Sequence, residues 1–135
     1  MRIIGIAHVG IAAENADETV DFFTSLLCGT PLEKQNVPAQ CMTSTQIQYQ
    51  KGRLEIMETT AADGVIGKFI AKRGQGLHHI SFQVEGLSEH IDVLESKGIR
   101  VIGKRLNLPE SNSVAFIDPR SAHGVLIELV EPANP

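Results

Sequence analysis

The stretch GLHHISFQVEGL, residues 76–87, restarts a pattern the chain has already used once at GIAHVGI, residues 5–11. Both stretches are rich in β-branched and apolar residues and read as strands, and each carries a histidine in its interior, His79 and His8. Residues 3–12 are apolar enough to predict a buried strand. Each strand then leads into a helix. After the first, Asn15 offers an N-cap with Glu18 three residues on, a capping-box spacing with Asn in place of Ser or Thr. Val20, Phe23 and Leu27 recur at helical intervals over 16–28, and Gly29 and Pro31 end the pattern. After the second, Ser88 is a candidate N-cap for a helix over 89–97 that stops at Gly98. Strands follow in both halves: 41–50 and 53–58 around Gly52 in the first, then 99–103, 113–117 and 124–131 in the second. Between the halves, 65–73 predicts a short helix broken by GQG at 74–76.

This reads as a unit of strand, helix and three strands occurring twice, with only two of the three strands apparent in the first half, and such a repeat buries its face against its own copy. The expected class is α+β, with two βαβββ modules forming one curved mixed sheet around a cavity. The expected organisation is a single domain over 1–135: module one at about 3–60, the linking helix at 65–73, and module two at about 76–132.

The repeat also pairs chemistry. Glu55, in GRLEIME, follows His8 by 47 residues, and Glu128, in GVLIELVE, follows His79 by 49. Alternation along a strand puts Leu77, His79, Ser81 and Gln83 on one face and His78, Ile80, Phe82 and Val84 on the other. His79 thus lies on the more polar face, and His78 reads as a structural histidine satisfied by a hydrogen bond. A carboxylate between Ile127 and Leu129, or between Leu54 and Ile56, is costly to bury without a positive partner. Either Glu alone could face solvent, as is common on antiparallel strands. All four residues at matched repeat positions point instead to a shared cation, held by His8, Glu55, His79 and Glu128. Two imidazoles and two carboxylates suit Co, Ni, Zn, Mn or Fe, with positions left open for chemistry. Glu58 and Glu131 fall on the opposite strand face and read as solvated; His90 and His123 read as surface residues.

Composition narrows the function classes. The chain has 135 residues, 42% of them hydrophobic, enough for one ordinary domain with a core, and 21% charged, which argues against wholesale disorder. A net charge of −4 and the absence of any basic run argue against a nucleic-acid surface. Lys68, Lys72 and Arg73 form a small basic cluster that could meet one anionic small molecule. No apolar run approaches the ~18 residues of a membrane span, and no leader-like segment is visible. Cys28 and Cys41 show no CxxC spacing and are expected to be free, buried thiols in a reducing cytosol.

The halves HVGIAAEN with GRLEIME and GLHHISFQV with GVLIELVE resemble the glyoxalase/vicinal-oxygen-chelate (VOC) superfamily. The segments VIGKFIAKRGQGLHHISFQVEGL and VAFIDPRSAHGVLIELVEP are more specifically similar to the methylmalonyl-CoA epimerases. The resemblance covers about residues 5–132. It implies the VOC fold, a commonly dimeric enzyme, and metal ligands on His8, His79 and Glu128, with the fourth, Gln or Glu in the family, on Glu55. It implies interconversion of (R)- and (S)-methylmalonyl-CoA by proton transfer alpha to the thioester, through an enolate stabilised by a divalent ion. Glu128 would be one proton-transfer base, the second being Glu55 or a water on the ion. The CoA phosphates would meet Lys72 and Arg73, unless these are simply solvated charges. Two departures stand out. Some epimerases carry an extra acidic residue where AQCMTSTQ (39–46) places Ser44 or Thr45, and a usually glycine-rich loop is here NLPESNS (107–113). A glyoxalase I-type lactoylglutathione lyase and a non-catalytic VOC protein that sequesters a small molecule are the alternatives. The second usually lines its cavity with aromatics, whereas this chain has no Trp, one Tyr and five Phe.

Overall fold

The computed structural model describes residues 1–133. Nine strands form one mixed sheet in the order β2-β4-β5-β1-β6-β9-β8-β7, with β3 also paired to β4. The strands are β1 (Arg2–Ala12), β2 (Thr30–Pro31), β3 (Gln35–Val37), β4 (Met42–Gln48), β5 (Arg53–Thr59), β6 (Gly76–Glu85), β7 (Val101–Arg105), β8 (Ser113–Ile117) and β9 (Ile127–Glu131). The α-helices are α1 (Ala16–Asp21), α2 (Val65–Arg73) and α3 (Leu87–Ser96). This is the α+β class expected from the repeat. None of the helices described is long and apolar enough to cross a membrane.

One compact unit comprises His8–His78. In it β5 runs parallel to β1 and antiparallel to β4. Ile47 and Ile56, both fully buried, pack with Ala13 and Ala16 against Val20 and Phe23 of the first helical segment. On the other face, Ala12, Met42 and Met57 pack against Ile66 and Phe69 of α2. The helix expected over 16–28 is α-helical only to Asp21 and continues as a π-helical turn over Phe22–Leu26. Competition for backbone groups accounts for this. The Thr24 hydroxyl donates back to the Val20 carbonyl at 2.9 Å, a contact that bends helices. The Phe23 carbonyl accepts from both Tyr49 Oη and Gly29 N–H, at 3.0 Å each. Gly29 lies so close to Ile47 and Tyr49 that a β-carbon there would overlap both. The expected pattern lacks β2 and β3, whose two and three residues are too few for a periodicity to show.

The other unit joins Met1–Ala7 to the chain from His79 onward. Here β9 is parallel to β6 and antiparallel to β8. Val84, Leu87, Ile91, Val101, Ala115 and Leu129 form its core, with α3 supplying Leu87 and Ile91. The start of β1 corrects the expectation of a buried strand: Ile3, Ile4 and Ile6 are 48%, 46% and 57% exposed, and burial begins at Gly10.

Two carboxylates expected in solvent hold helix ends instead. Asn15 caps α1 as expected, accepting Glu18 N–H at 3.1 Å, and Glu58 accepts Ala16 N–H at 2.9 Å. Ser88 does not cap α3. That helix starts at Leu87, after Gly86 in the left-handed region at φ 75°, and Glu131 accepts the N–H groups of Gly86 (2.5 Å) and Leu87 (3.3 Å). An anionic acceptor at a helix N-terminus satisfies otherwise orphaned donors and meets the positive end of the dipole. Asp118 performs a similar task in the loop after β8. Its 6%-exposed carboxylate accepts Arg120 N–H at 2.8 Å and pairs with the Arg120 and Arg100 guanidinium groups.

Glu58→Ala and Glu131→Ala are each expected to lower stability by about 1–2 kcal/mol in denaturant titration; unchanged midpoints would show that neither carboxylate matters to its helix. Hydrogen bonds from the Arg120 side chain hold the Asp118 carboxyl below the usual carboxylate range, aided by the Arg120 N–H and the nearby guanidinium charges. A depressed folded-state pKa contributes stability above the unfolded value, and that stability is lost as pH falls through the folded one. The melting temperatures of wild type and Asp118→Asn should therefore differ at neutral pH and converge in acid. A gap that persists in acid would contradict this.

Candidate metal centre

The parallel register of β5 on β1 sets Glu55 opposite Gly10, so His8 stands two residues before the position facing the carboxylate. Alternation then places His8, Gly10 and Glu55 on one sheet face, while Leu54 and Ile56 turn to the α1 side. His8 Nε2 lies 3.4 Å from Glu55 Oε1, with the two side chains 12% and 14% exposed. The other carboxylate oxygen, Oε2, accepts a hydrogen bond from Ser44 Oγ at 2.7 Å. Ser44 reaches it from β4, on the diagonal beside the Gln46–Glu55 pair.

The second half repeats this register on its own strands. β9 lies parallel to β6 with Glu128 opposite Ser81, and His79 again stands two residues earlier. Leu129 and Ile127 turn toward α3, which leaves Glu128 on the His79 face. His79 is buried and meets the Phe116 ring edge-on at a centroid distance of 6.4 Å. Ser81, fully buried, donates to Glu128 Oε1 at 2.6 Å.

His79 follows His78 by one peptide bond, and one ligating atom from each of His8, Glu55 and His79 falls within 4.8 Å of the other two. Two imidazoles and a carboxylate converging this closely form a donor set that fits a borderline divalent cation. Glu128, the fourth residue picked out by the repeat, is not one of this trio.

The remaining expectations fare unevenly. His78 packs edge-on against Phe69 at 4.8 Å; burial pushes its imidazole below the usual value, and the Glu55 charge draws it part of the way back. His123 is exposed at a left-handed φ of 57°, whereas His90 is half-buried rather than a surface residue. Both cysteines are free, but Cys28 is exposed and Cys41 only partly buried, which corrects the expectation of two buried thiols. Lys68, Lys72 and Arg73 are exposed on α2. The glycine-free loop 107–113, with the start of α3 and the end of β9, lines a cavity of about 640 Å³ that includes none of the four candidate ligands. The sequence reading missed the hydrogen bonds of Ser44 and Ser81. For Ser81 the available signal was a hydroxyl on the strand face that carries His79; Ser44, in the polar run MTSTQIQ, offered no comparable signal.

The profile of the Glyoxalase/Bleomycin resistance protein/Dioxygenase superfamily matches residues 7–117. The chain is similar to an uncharacterized Bacillus subtilis (strain 168) protein, YqjC, with 33% identity over 129 residues, 93% of this chain and 90% of that protein. It is similar in structure to the methylmalonyl-CoA epimerase of Mycobacterium tuberculosis, with a TM-score of 0.88 and 29% identity, over 98% of this chain and 90% of that one. It is likewise similar to a variant of the Streptomyces coelicolor methylmalonyl-CoA epimerase in complex with 2-nitronate-propionyl-CoA, with a TM-score of 0.88 and 27% identity, over 98% and 99% of the two chains. A profile match over most of the length, a repeated strand register and a His–Glu–His trio lead to one conclusion: the chain belongs to the Glyoxalase/Bleomycin resistance protein/Dioxygenase superfamily.

Proposed function

We propose that the chain is a metal-dependent isomerase that moves the proton alpha to an acyl-CoA thioester, with methylmalonyl-CoA as substrate. The convergence of His8, Glu55 and His79 carries this reading, because it supplies the donor set of an open metal site. The similarity to methylmalonyl-CoA epimerases over 98% of the chain supports the substrate class. His8, Glu55, His79 and Glu128 would hold the ion, Glu128 joining through the face it shares with His79. A bound divalent cation supplies Lewis acidity for the negative charge that develops on the thioester oxygen.

The protein's own groups handle the proton. Epimerisation requires removal on one face of the alpha carbon and return on the other, so two acid–base groups are needed. Glu128 and Glu55 are assigned these roles, one contributed by each module. Each carboxylate has about four lone-pair sites, so a hydrogen bond from serine leaves capacity to accept a proton. Neither Ser44 nor Thr45 on β4 supplies the extra carboxylate of some epimerases, which supports the assignment to Glu128 and Glu55. The apolar residues Ile3, Ile4 and Ile6, about half exposed on β1, support pairing with a second copy of the chain. The free thiols Cys28 and Cys41 support a reducing, cytoplasmic setting.

Proton NMR of methylmalonyl-CoA in D₂O tests the reading. Deuterium is expected to wash into the alpha position with a divalent ion present and to stop after chelation. Glu128→Gln should abolish exchange while preserving the circular dichroism spectrum, and full activity in that variant would remove Glu128 from the reaction. Absence of exchange, with turnover of the methylglyoxal–glutathione adduct, would assign a glyoxalase-type lyase. A protein that retains no stoichiometric cation would be a sequestering module.

A further inference from the structure

Ser44 and Ser81 perform the same task from places that the internal repeat does not relate. Each is buried, at 6% and 0% exposure, and each donates a short hydrogen bond to a candidate ligand carboxylate. Ser81 lies on β6, the parallel neighbour of β9, directly opposite Glu128. Its counterpart in the first module, opposite Glu55, is Gly10. Ser44 lies on β4, the antiparallel neighbour of β5, two residues from the Gln46–Glu55 pair. Its counterpart in the second module, two residues from the Phe116–Glu128 pair, is Val114. The repeat accounts for the histidines and glutamates but not for the serines. A hydroxyl has been placed on each carboxylate separately.

Resting on the metal-centre reading above, we infer that Ser44 and Ser81 are positioning residues that fix the coordination mode, each holding one oxygen of its glutamate so that the ion is met by a single oxygen of the other. For Glu55 the geometry is explicit. Ser44 takes Oε2, and Oε1 is the oxygen turned toward His8 Nε2 at 3.4 Å. For Glu128, Ser81 takes Oε1, which assigns Oε2 to the ion. Swinging a carboxylate so anchored to bidentate ligation would draw its second oxygen away from the hydroxyl and weaken a charge-assisted hydrogen bond, which favours ligation through one oxygen. Single-oxygen ligation keeps coordination positions open for a chelating substrate. The serine-bound oxygen of each glutamate is then the one held clear of the ion, where it can exchange a proton.

The test is metal binding by the full chain, without substrate. Competition titration of Zn²⁺ against a chromogenic chelator should give one ion per wild-type chain, with about 10–100-fold weaker binding in Ser44→Ala and in Ser81→Ala. The visible absorption bands of Co²⁺ should shift in both alanine variants, as ligand number and geometry change, and return in Ser44→Thr, which keeps the hydroxyl. Metal-free melting curves show whether each variant folds; should one alanine variant fail to fold, the other carries the same comparison. Wild-type affinity and an unchanged Co²⁺ spectrum in a folded alanine variant would overturn the inference and leave the metal centre standing. A wild-type chain that binds no ion would overturn both.

Discussion

The register of two parallel strand pairs, β5 on β1 and β9 on β6, is the constraint from which the rest of the structure follows. In each pair a glutamate faces a small residue, Gly10 or Ser81, and a histidine lies two positions earlier on the same face. A slip of one residue would turn both glutamates into the apolar layers formed with α1 and α3, at the cost of burying unpaired charge. The hydrophobic pattern therefore protects the chemistry. Ile56 and Leu129 can be buried only if Glu55 and Glu128 point the other way.

The same strands act on both faces. Three residues after each candidate ligand glutamate comes a second glutamate, Glu58 or Glu131, and an odd step along a strand reverses direction. One carboxylate looks toward the histidines, and the next holds the first N–H groups of the helix behind the sheet. Strand position and helix position are thus tied together through charge-assisted contacts as well as through packing.

What could be read in the sequence follows from the range of each interaction. His8, Glu55, His79 and Glu128 stood out because strand alternation is local and because a duplicated spacing repeats the same anomaly. The structure gathers ligating atoms from the first three. The Glu58 and Glu131 caps were not legible, since their partners lie 42 to 45 residues away and a carboxylate near a strand end looks like any solvated one. The Ser81 contact, 47 residues in range, escaped for the same reason, and the Ser44 contact, only 11 residues in range, because a serine among the polar residues of β4 does not stand out. The π-helical turn depends on Tyr49, which reaches back 26 residues to the Phe23 carbonyl. The exposure of Ile3, Ile4 and Ile6 was misread because a β-branched apolar run looks the same whether its face is covered or open.

That open half of β1 has a practical side. Ile3, Ile4 and Ile6 form a short, uncharged, strand-prone segment of the composition that promotes self-stacking in partly unfolded chains. Arg2 stands at its head, ion-paired to Glu85 at 2.9 Å, and is the gatekeeper at that end of the run. The colloidal behaviour of the protein in storage and during refolding is therefore expected to depend on a few residues at the head of the strand that also carries His8.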